Sequence, residues 1–191
     1  SRVDAPSGPV TFILRDYTNG IPTNYSGLLS WSISRPGIDL IASNQSLFGG
    51  EPASLTLSNA LIARSAGPFH IRAELASPPT FGKSEELLAV DGFSSGPLQS
   101  FHVSGVTDPA PTGAWHTLRL VALDREFRVV TNYSGTVLLT TDDGTAVRPT
   151  NGTGSVSFTP ADQGVRLLGP DLQFNAIGEH WLQAADSVSP L

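Results

Sequence analysis

The pentapeptide Thr23-Asn24-Tyr25-Ser26-Gly27 returns unchanged as Thr131-Asn132-Tyr133-Ser134-Gly135, and in both places an aspartate stands nine residues before the tyrosine, Asp16 and Asp124. The flanks follow the same register. Ile13-Leu14-Arg15-Asp16 lies over Val121-Ala122-Leu123-Asp124, and Leu61 to Ala73, with Gly67 inside, lies over Leu172 to Ala184, with Gly178 inside, once three extra residues are allowed in the second copy. A chain that repeats itself at this spacing folds the same way twice, because each copy has to bury its own apolar face. Duplicated folds in tandem point to arrays and spacers more often than to a single active site.

The 191 residues fit two domains of roughly 100 residues, each large enough for its own core. We place the first over 1–92 and the second over 98–191, with 93–97 (Phe93-Ser94-Ser95-Gly96-Pro97) as a short linker that Pro97 stiffens. Charged residues are only 15% of the chain, while Gly (19) and Pro (15) recur throughout, which favours short strands joined by turns. Leu29, Trp31 and Ile33 alternate with Ser30, Ser32 and Ser34, and Phe69, Ile71, Ala73 and Leu75 alternate with His70, Arg72 and Glu74. Period two with one apolar face describes strands half buried against a second sheet. The second copy offers Phe101 to Val106, Thr117 to Leu123, Thr136 to Thr141, Gly154 to Thr159, Val165 to Phe174 and His180 to Ala185. No stretch carries a sustained helical period, so the fold class is all-β, two tandem antiparallel sandwiches.

The formal charge of -6 comes without a cluster of Lys or Arg, which argues against nucleic acid as a partner. No apolar run approaches the length of a membrane span, so no membrane insertion is expected of this segment. Cysteine is absent, which fits surface sandwich domains that rely on packing and equally fits a cytosolic chain. Ser1 is no initiator and no signal peptide is visible, so the sequence reads as mature, processed or excised.

Tyr133-Ser134-Gly135-Thr136-Val137, Ser157-Phe158-Thr159-Pro160-Ala161-Asp162-Gln163-Gly164-Val165, and Gly178 ahead of a strand ending at Asp186 carry a family resemblance. They resemble the bacterial immunoglobulin-like, filamin-like repeats of secreted or surface proteins. The resemblance implies a seven-stranded sandwich, one of many beads in a stalk, adhesin or matrix component. The first copy departs from it, since nothing in Phe48 to Leu57 matches the Ala161-Asp162-Gln163-Gly164 turn.

By the same register the first copy lacks the strand that Phe101 to Val106 supplies in the second, and the second lacks the one that Ser84 to Val90 supplies in the first. Trimming of a longer chain accounts for this. Exchange of strands between neighbours, building a head-to-tail fibre, is the sharper reading.

Chemistry is sparse. His70, His102, His116 and His180 fall on separate strands, where alternation makes most of them solvent-facing, and no nucleophile, phosphate or zinc motif accompanies them. No enzymatic role and no cofactor are expected. Asp124, Asp142, Asp143, Asp162 and Asp186 are weak calcium candidates, since that cation takes oxygen ligands. The competing account has Asp16, Asp124 and Asp162 capping turns and Asp142-Asp143-Gly144 forming a hairpin turn. Trp31 reads as core, whereas Trp115 and Trp181 are weak candidates for a sugar-binding surface. Tyr25 and Tyr133 read as end-packing rings whose hydroxyls cap a backbone carbonyl, in the manner of a tyrosine corner. The Asn-x-Ser/Thr triplets at Asn24, Asn44, Asn132 and Asn151 read as turn chemistry.

The expected function is that of a non-catalytic extracellular or cell-surface module, a structural or adhesive spacer or assembling filament unit. Its partners would be neighbouring domains of a longer chain or other copies of itself. The alternative is a polysaccharide-binding accessory module of a larger secreted enzyme, discriminated by whether Trp115 and Trp181 share one exposed patch.

Overall fold

The computed structural model describes residues 3–7, 9–13, 25–41, 45–50, 54–76, 79–84, 86–107 and 110–188. Asp16, the Asn19-Gly20 turn, Thr23, Asn24 and Asn44 lie outside the described residues. The chain divides into two compact units, Ser1–Ala89 and Val90–Leu191.

Unit 1 contains β1 (Val10–Ile13), β2 (Tyr25–Ile33), β3 (Ile38–Leu40), β4 (Gln45–Gly50), β5 (Ser54–Leu57), β6 (Leu61–Ala63), β7 (Gly67–Phe69), β8 (Ile71–Ala76), β9 (Pro79–Lys83) and β10 (Leu87–Ala89). The order β1-β5-β4-β2-β8-β9 makes one sheet, and the pairs β10-β7 and β3-β6 complete the unit. Alternation decides which faces meet. Trp31 is 2% exposed and sits in a core with Ala60, Leu61, Ala63, Phe69, Ile71 and Ala89, against which Phe12 and Leu87 pack.

Unit 2 contains β11 (Phe93–Ser94), β12 (Ser100–Ser104), β13 (Trp115–Leu123), β14 (Val129–Val130), β15 (Gly135–Thr141), β16 (Ser155–Phe158), β17 (Val165–Gln173) and β18 (Leu182–Asp186), with one 3-10 turn at Pro160–Asp162. One sheet has β13 flanked by β12 and β17 and extended by β14 and β11; the other is β16-β15-β18. Leu118, Leu120, Ala122 and Leu172 from the first sheet meet Val137, Leu139, Val156 and Phe158 from the second in one core. Two antiparallel sheets closing on a shared apolar layer make a sandwich.

The stretch read as a linker is folded. Phe93–Ser94 pairs with Val129–Val130 as a short parallel ladder, and the Ser94 hydroxyl oxygen accepts from the Gly96 N–H. The boundary between units falls at Ala89/Val90.

Both units pair their strands in the same register under the offset read from the sequence. Trp31 stands opposite Ala73 where Leu139 stands opposite Ala184, and Leu29 opposite Leu75 where Val137 stands opposite Asp186. Phe12 faces Leu55 as Leu120 faces Arg166, and Asp39 faces Ile62 as Val147 faces Gln173. Since a one-residue slip would turn every side chain to the opposite face, agreement in these ladders reflects one plan of burial. The bulk is distributed differently within that plan: Trp31 and Ala63 occupy the positions held by Leu139 and Phe174 in unit 2.

Tyr133 corrects one expectation. Its ring packs edge-on against Phe101 and Phe158, but its hydroxyl donates to the Asp186 carboxylate and not to a backbone carbonyl. The reason is register: Asp186 lies opposite Val137 at the end of β18, close to the ring's tip. Leu75 takes that position in unit 1. Burial, then the carboxylate, push the phenol's pKa far above its ordinary value. A raised folded value means the stabilisation is complete below the unfolded tyrosine pKa, near 10, and is lost as pH rises beyond it. Tyr133→Phe is expected to lower the stability of unit 2 by about 1–2 kcal/mol at neutral pH. It should also flatten the alkaline decline, as checked by urea melts across pH 8–11, a window chosen around the ordinary phenol value of about 10.

Candidate functional site

The most densely organised surface region of unit 2 lies where β13 begins and β15 and β17 end. The phase of β13 sets what points where: His116, Leu118, Leu120 and Ala122 face inward, while Trp115, Thr117 and Arg119 face outward. His116 is therefore buried, and so is His102 on β12, which corrects their reading as solvent-facing positions. Inward leucines at 118 and 120 oblige residue 116 to point the same way, a signal already present in the alternation. The His116 ring lies against Phe174 with centroids 6.3 Å apart, and His180 stacks on the same Phe174 at 6.1 Å and 7°. Burial lowers the His116 pKa, because the charged form would lose its hydration.

Two aspartates fix the loops above this stack. The Asp143 Oδ1 accepts from the N–H and hydroxyl of Thr145 (2.8 and 2.6 Å), and its Oδ2 accepts from the N–H groups of Asn175 and Ala176 (2.8 and 3.0 Å). The Thr145 hydroxyl, then the Ala176 N–H, are the main reasons why its pKa falls far below the usual carboxylate range. Asp142 Oδ1 accepts from the Trp181 N–H at 3.0 Å and lies 3.3 Å from His180 Nδ1. For Asp142 burial opposes ionisation, and the hydrogen bonds led by the Trp181 N–H outweigh it, leaving the pKa lowered. Asp142-Asp143-Gly144 is thus not a tight hairpin turn. It opens the loop between β15 and β16, and Asp143 ties that loop to the segment after β17.

Unit 1 ties the equivalent loops with one bond of the same polarity and one position of the opposite polarity. Ser34 Oγ accepts from the His70 N–H, at the positions of Asp142 and Trp181. At the position of Asp143 stands Arg35, whose guanidinium donates to the carbonyls of Ser65, Ala66 and Pro68. At this second position donor and acceptor have traded sides while the loop pair has stayed joined.

The other candidate carboxylates lie on separate elements. Asp124 is buried and accepts from the N–H groups of Glu126 and Arg128 and from the Arg128 guanidinium, all within 3.0 Å. Burial alone would raise its pKa, but these bonds and one from Ser94 prevail and lower it. Asp162 accepts from the N–H and hydroxyl of Thr159 and from Arg166, closing the 3-10 turn, and those bonds lower its pKa. Asp186 holds Tyr133 and accepts from the Val188 N–H. Each of the five serves a turn or a loop. Among the described residues no group of three His, Cys, Asp or Glu side chains is placed to hold a metal ion. Asn151 and Thr150 both adopt left-handed backbone in the loop before β16, a conformation at home in turns.

Carboxylates with depressed folded pKa values contribute stability that is full above the ordinary Asp value, near pH 4, and lost as pH falls through the folded values. Unit 2 is therefore expected to lose stability below about pH 4. Asp143→Asn should lower its melting temperature by several degrees at pH 7 and reduce that acid dependence, as followed by thermal melts over an acid series.

Trp115 and Trp181 are about half exposed, at 53% and 51%. Trp115 stands in a cross-strand row with Gln173 and the exposed Val147, on the sheet of β13 and β17. Trp181 directly precedes β18 on the other sheet. The two indoles are exposed but stand on different sheets, and no ring contact joins them among the described residues.

No protein-family model matches the chain, and no curated protein matches it. Among solved structures, the apo structure of Bacteroides uniformis beta-glucuronidase 3 aligns with a TM-score of 0.38 at 9% identity, over 85% of this chain and 20% of that one, too distant to carry an argument. The D0-D1 domain of Intimin aligns with a TM-score of 0.51 at 14% identity, over 97% of this chain and 86% of that one. With the sheets described above, this likeness makes the fold all-β, two immunoglobulin-like antiparallel sandwiches in tandem.

Proposed function

We propose that the chain is a non-catalytic module of a bacterial extracellular or cell-surface protein, a structural or adhesive spacer that assembles with other copies or with neighbouring domains. The observation that carries this reading is the matching strand register of the two units at positions spaced as the repeated pentapeptide is, and tandem copies of one fold are how arrays are built. The likeness of fold to the D0-D1 domain of Intimin supports it, and so does the use of the candidate carboxylates as loop acceptors. Protease treatment of intact producing cells, followed by detection with an antibody to unit 2, tests it. Release or loss of the epitope from intact cells is expected, and an epitope reached only after lysis would overturn the reading.

A second reading, a polysaccharide-binding accessory module, draws only on the exposure of Trp115 and Trp181, which stand on different sheets with no ring contact between them among the described residues. Retardation in gels containing cell-wall polysaccharide, lost in Trp115→Ala, would support that reading over the first.

A further inference from the structure

The ladder between β13 and β17 is irregular at one end. Trp115 pairs with Gln173 and His116 with Leu172, and then the register shifts twice, between His116 and Thr117 and between Thr117 and Arg119. Thr117 stands opposite Pro170, which has no N–H to give to a ladder. The two end rungs are thereby set apart from the regular pairing of Arg119 to Val121 with Val165 to Leu167. Their remaining ties are local: Gly113 N–H donates to the Phe174 carbonyl at 2.8 Å, and Gln173 Nε2 donates to the Gly113 carbonyl at 2.6 Å. A piece of sheet held by few rungs beyond an irregularity opens at lower cost than the sheet it belongs to.

Apolar contact around one imidazole keeps that piece shut. His116 is 5% exposed, lies on the inner face with Leu118 and Leu172, and rests against Phe174; its Nε2 has no hydrogen-bond partner among the described residues. The ionisable groups on the surrounding elements are Asp171 on β17, Asp142 and Asp143 after β15, and Glu179 and His180 before β18. Asp171 and Glu179 are exposed, and Asp143 is committed to Thr145, Asn175 and Ala176. None of them bonds to His116 among the described residues, and burial is the one cause of its lowered pKa. A proton on His180 would lie beside the Asp142 carboxylate, 3.3 Å from Nδ1, whereas a proton on His116 would be a charge in the core without a partner. The two histidines on Phe174 therefore answer acid in opposite senses.

We propose that His116 is an acid-sensitive catch: when it takes a proton it leaves the core, and residues 113–116 part from 172–176 while the rest of both sheets in unit 2 stays paired. The sign follows from linkage. The open form binds the proton more readily, so closure is fully favoured above the ordinary histidine value near 6.5 and weakens as pH falls below it. With that ordinary value in the open form, its population rises by up to about thirtyfold from pH 7.5 to pH 5.0. This window lies above the one in which the carboxylates act, below about pH 4. The inference goes beyond the reading of the chain as a surface module and does not depend on it.

The test is hydrogen exchange of the whole chain between about pH 7.5 and about pH 5.0, expressed as protection after correction for the intrinsic rate at each pH. Residues 113–116 and 172–176 are expected to lose protection by at least about tenfold, while 137–139 in β15 change little. His116→Leu, which continues the inward row of Leu118 and Leu120, should abolish the dependence, and His180→Gln should leave it in place. If the leucine variant fails to fold, the His116 ring proton followed by NMR in the unaltered chain decides: it should titrate below the ordinary value, in step with the loss of protection. Unchanged protection across the range overturns the proposal. So does an equal dependence in folded His116→Leu, a dependence that disappears in His180→Gln, or a loss spread evenly over both sheets.

Discussion

Trp31→Ala is expected to cost unit 1 about 3–5 kcal/mol, the range for removing a buried large aromatic side chain. Small domains hold roughly 5–15 kcal/mol in all, so the variant should leave unit 1 largely unfolded under mild denaturant. The reasoning starts from how the neighbours are sized. Trp31 lies among Ala60, Ala63 and Ala89, whose side chains are too short to move into the space an indole leaves. Phe12 meets the ring at a centroid distance of 5.8 Å and would lose its partner. Hydrogen exchange resolved by residue checks this, with fast exchange across β2, β6 and β8 expected. Trp31→Phe should retain most of the stability. If Trp31→Ala left those strands protected, the core as described would be wrong.

Gly164→Ala is the second large effect, about 2–4 kcal/mol from unit 2. Gly164 has φ +75, and a methyl group there would stand 2.4 Å from the Val130 carbonyl oxygen and 2.9 Å from Val129 Cγ1. Neither neighbour can retreat easily, since β14 is buried and Gly164 is itself held by its carbonyl, which accepts from the Ala122 N–H at 2.8 Å. Gln163, just before it, is also left-handed at φ 48. There a change to glycine removes strain, so Gln163→Gly should be neutral or slightly stabilising. Urea melts of the two variants, read by Trp fluorescence, separate backbone strain from loss of a side chain. Equal losses in both would show that the turn tolerates neither, and that crowding at Val130 is not the cause.

Much of the fold was legible because alternation and repetition are both local signals. Leu29, Trp31 and Ile33 announced β2 by period two, and the repeated pentapeptide with its trailing offset specified how β15 and β18 would lie against each other once β2 and β8 were placed. Short elements were not legible: β11 and β14 have two residues each, and β11 pairs with β14, which in turn pairs with β13. The linker reading of 93–97 failed for that reason, as Ser and Gly composition says nothing about a partner some 35 residues away. Of the site, the turn role of Asp124 and Asp162 could be read from sequence, since both bond within four residues of themselves. The tie from Asp143 to Asn175 and Ala176, the pairing of Tyr133 with Asp186, and the stack of His116, Phe174 and His180 join segments far apart in the chain. Only the register of the sheets brings them together.

The reversed polarity at the Arg35 and Asp143 positions of the two units limits how the modules can be recombined. A graft that moved the Asp142–Thr145 loop into unit 1 alone would set an aspartate against the carbonyls that Arg35 now satisfies, and the reciprocal graft would set a guanidinium against N–H groups. Acceptor would face acceptor and donor would face donor. Each loop therefore travels with its opposite number or not at all, and the smallest transplantable piece of either sandwich is the pair.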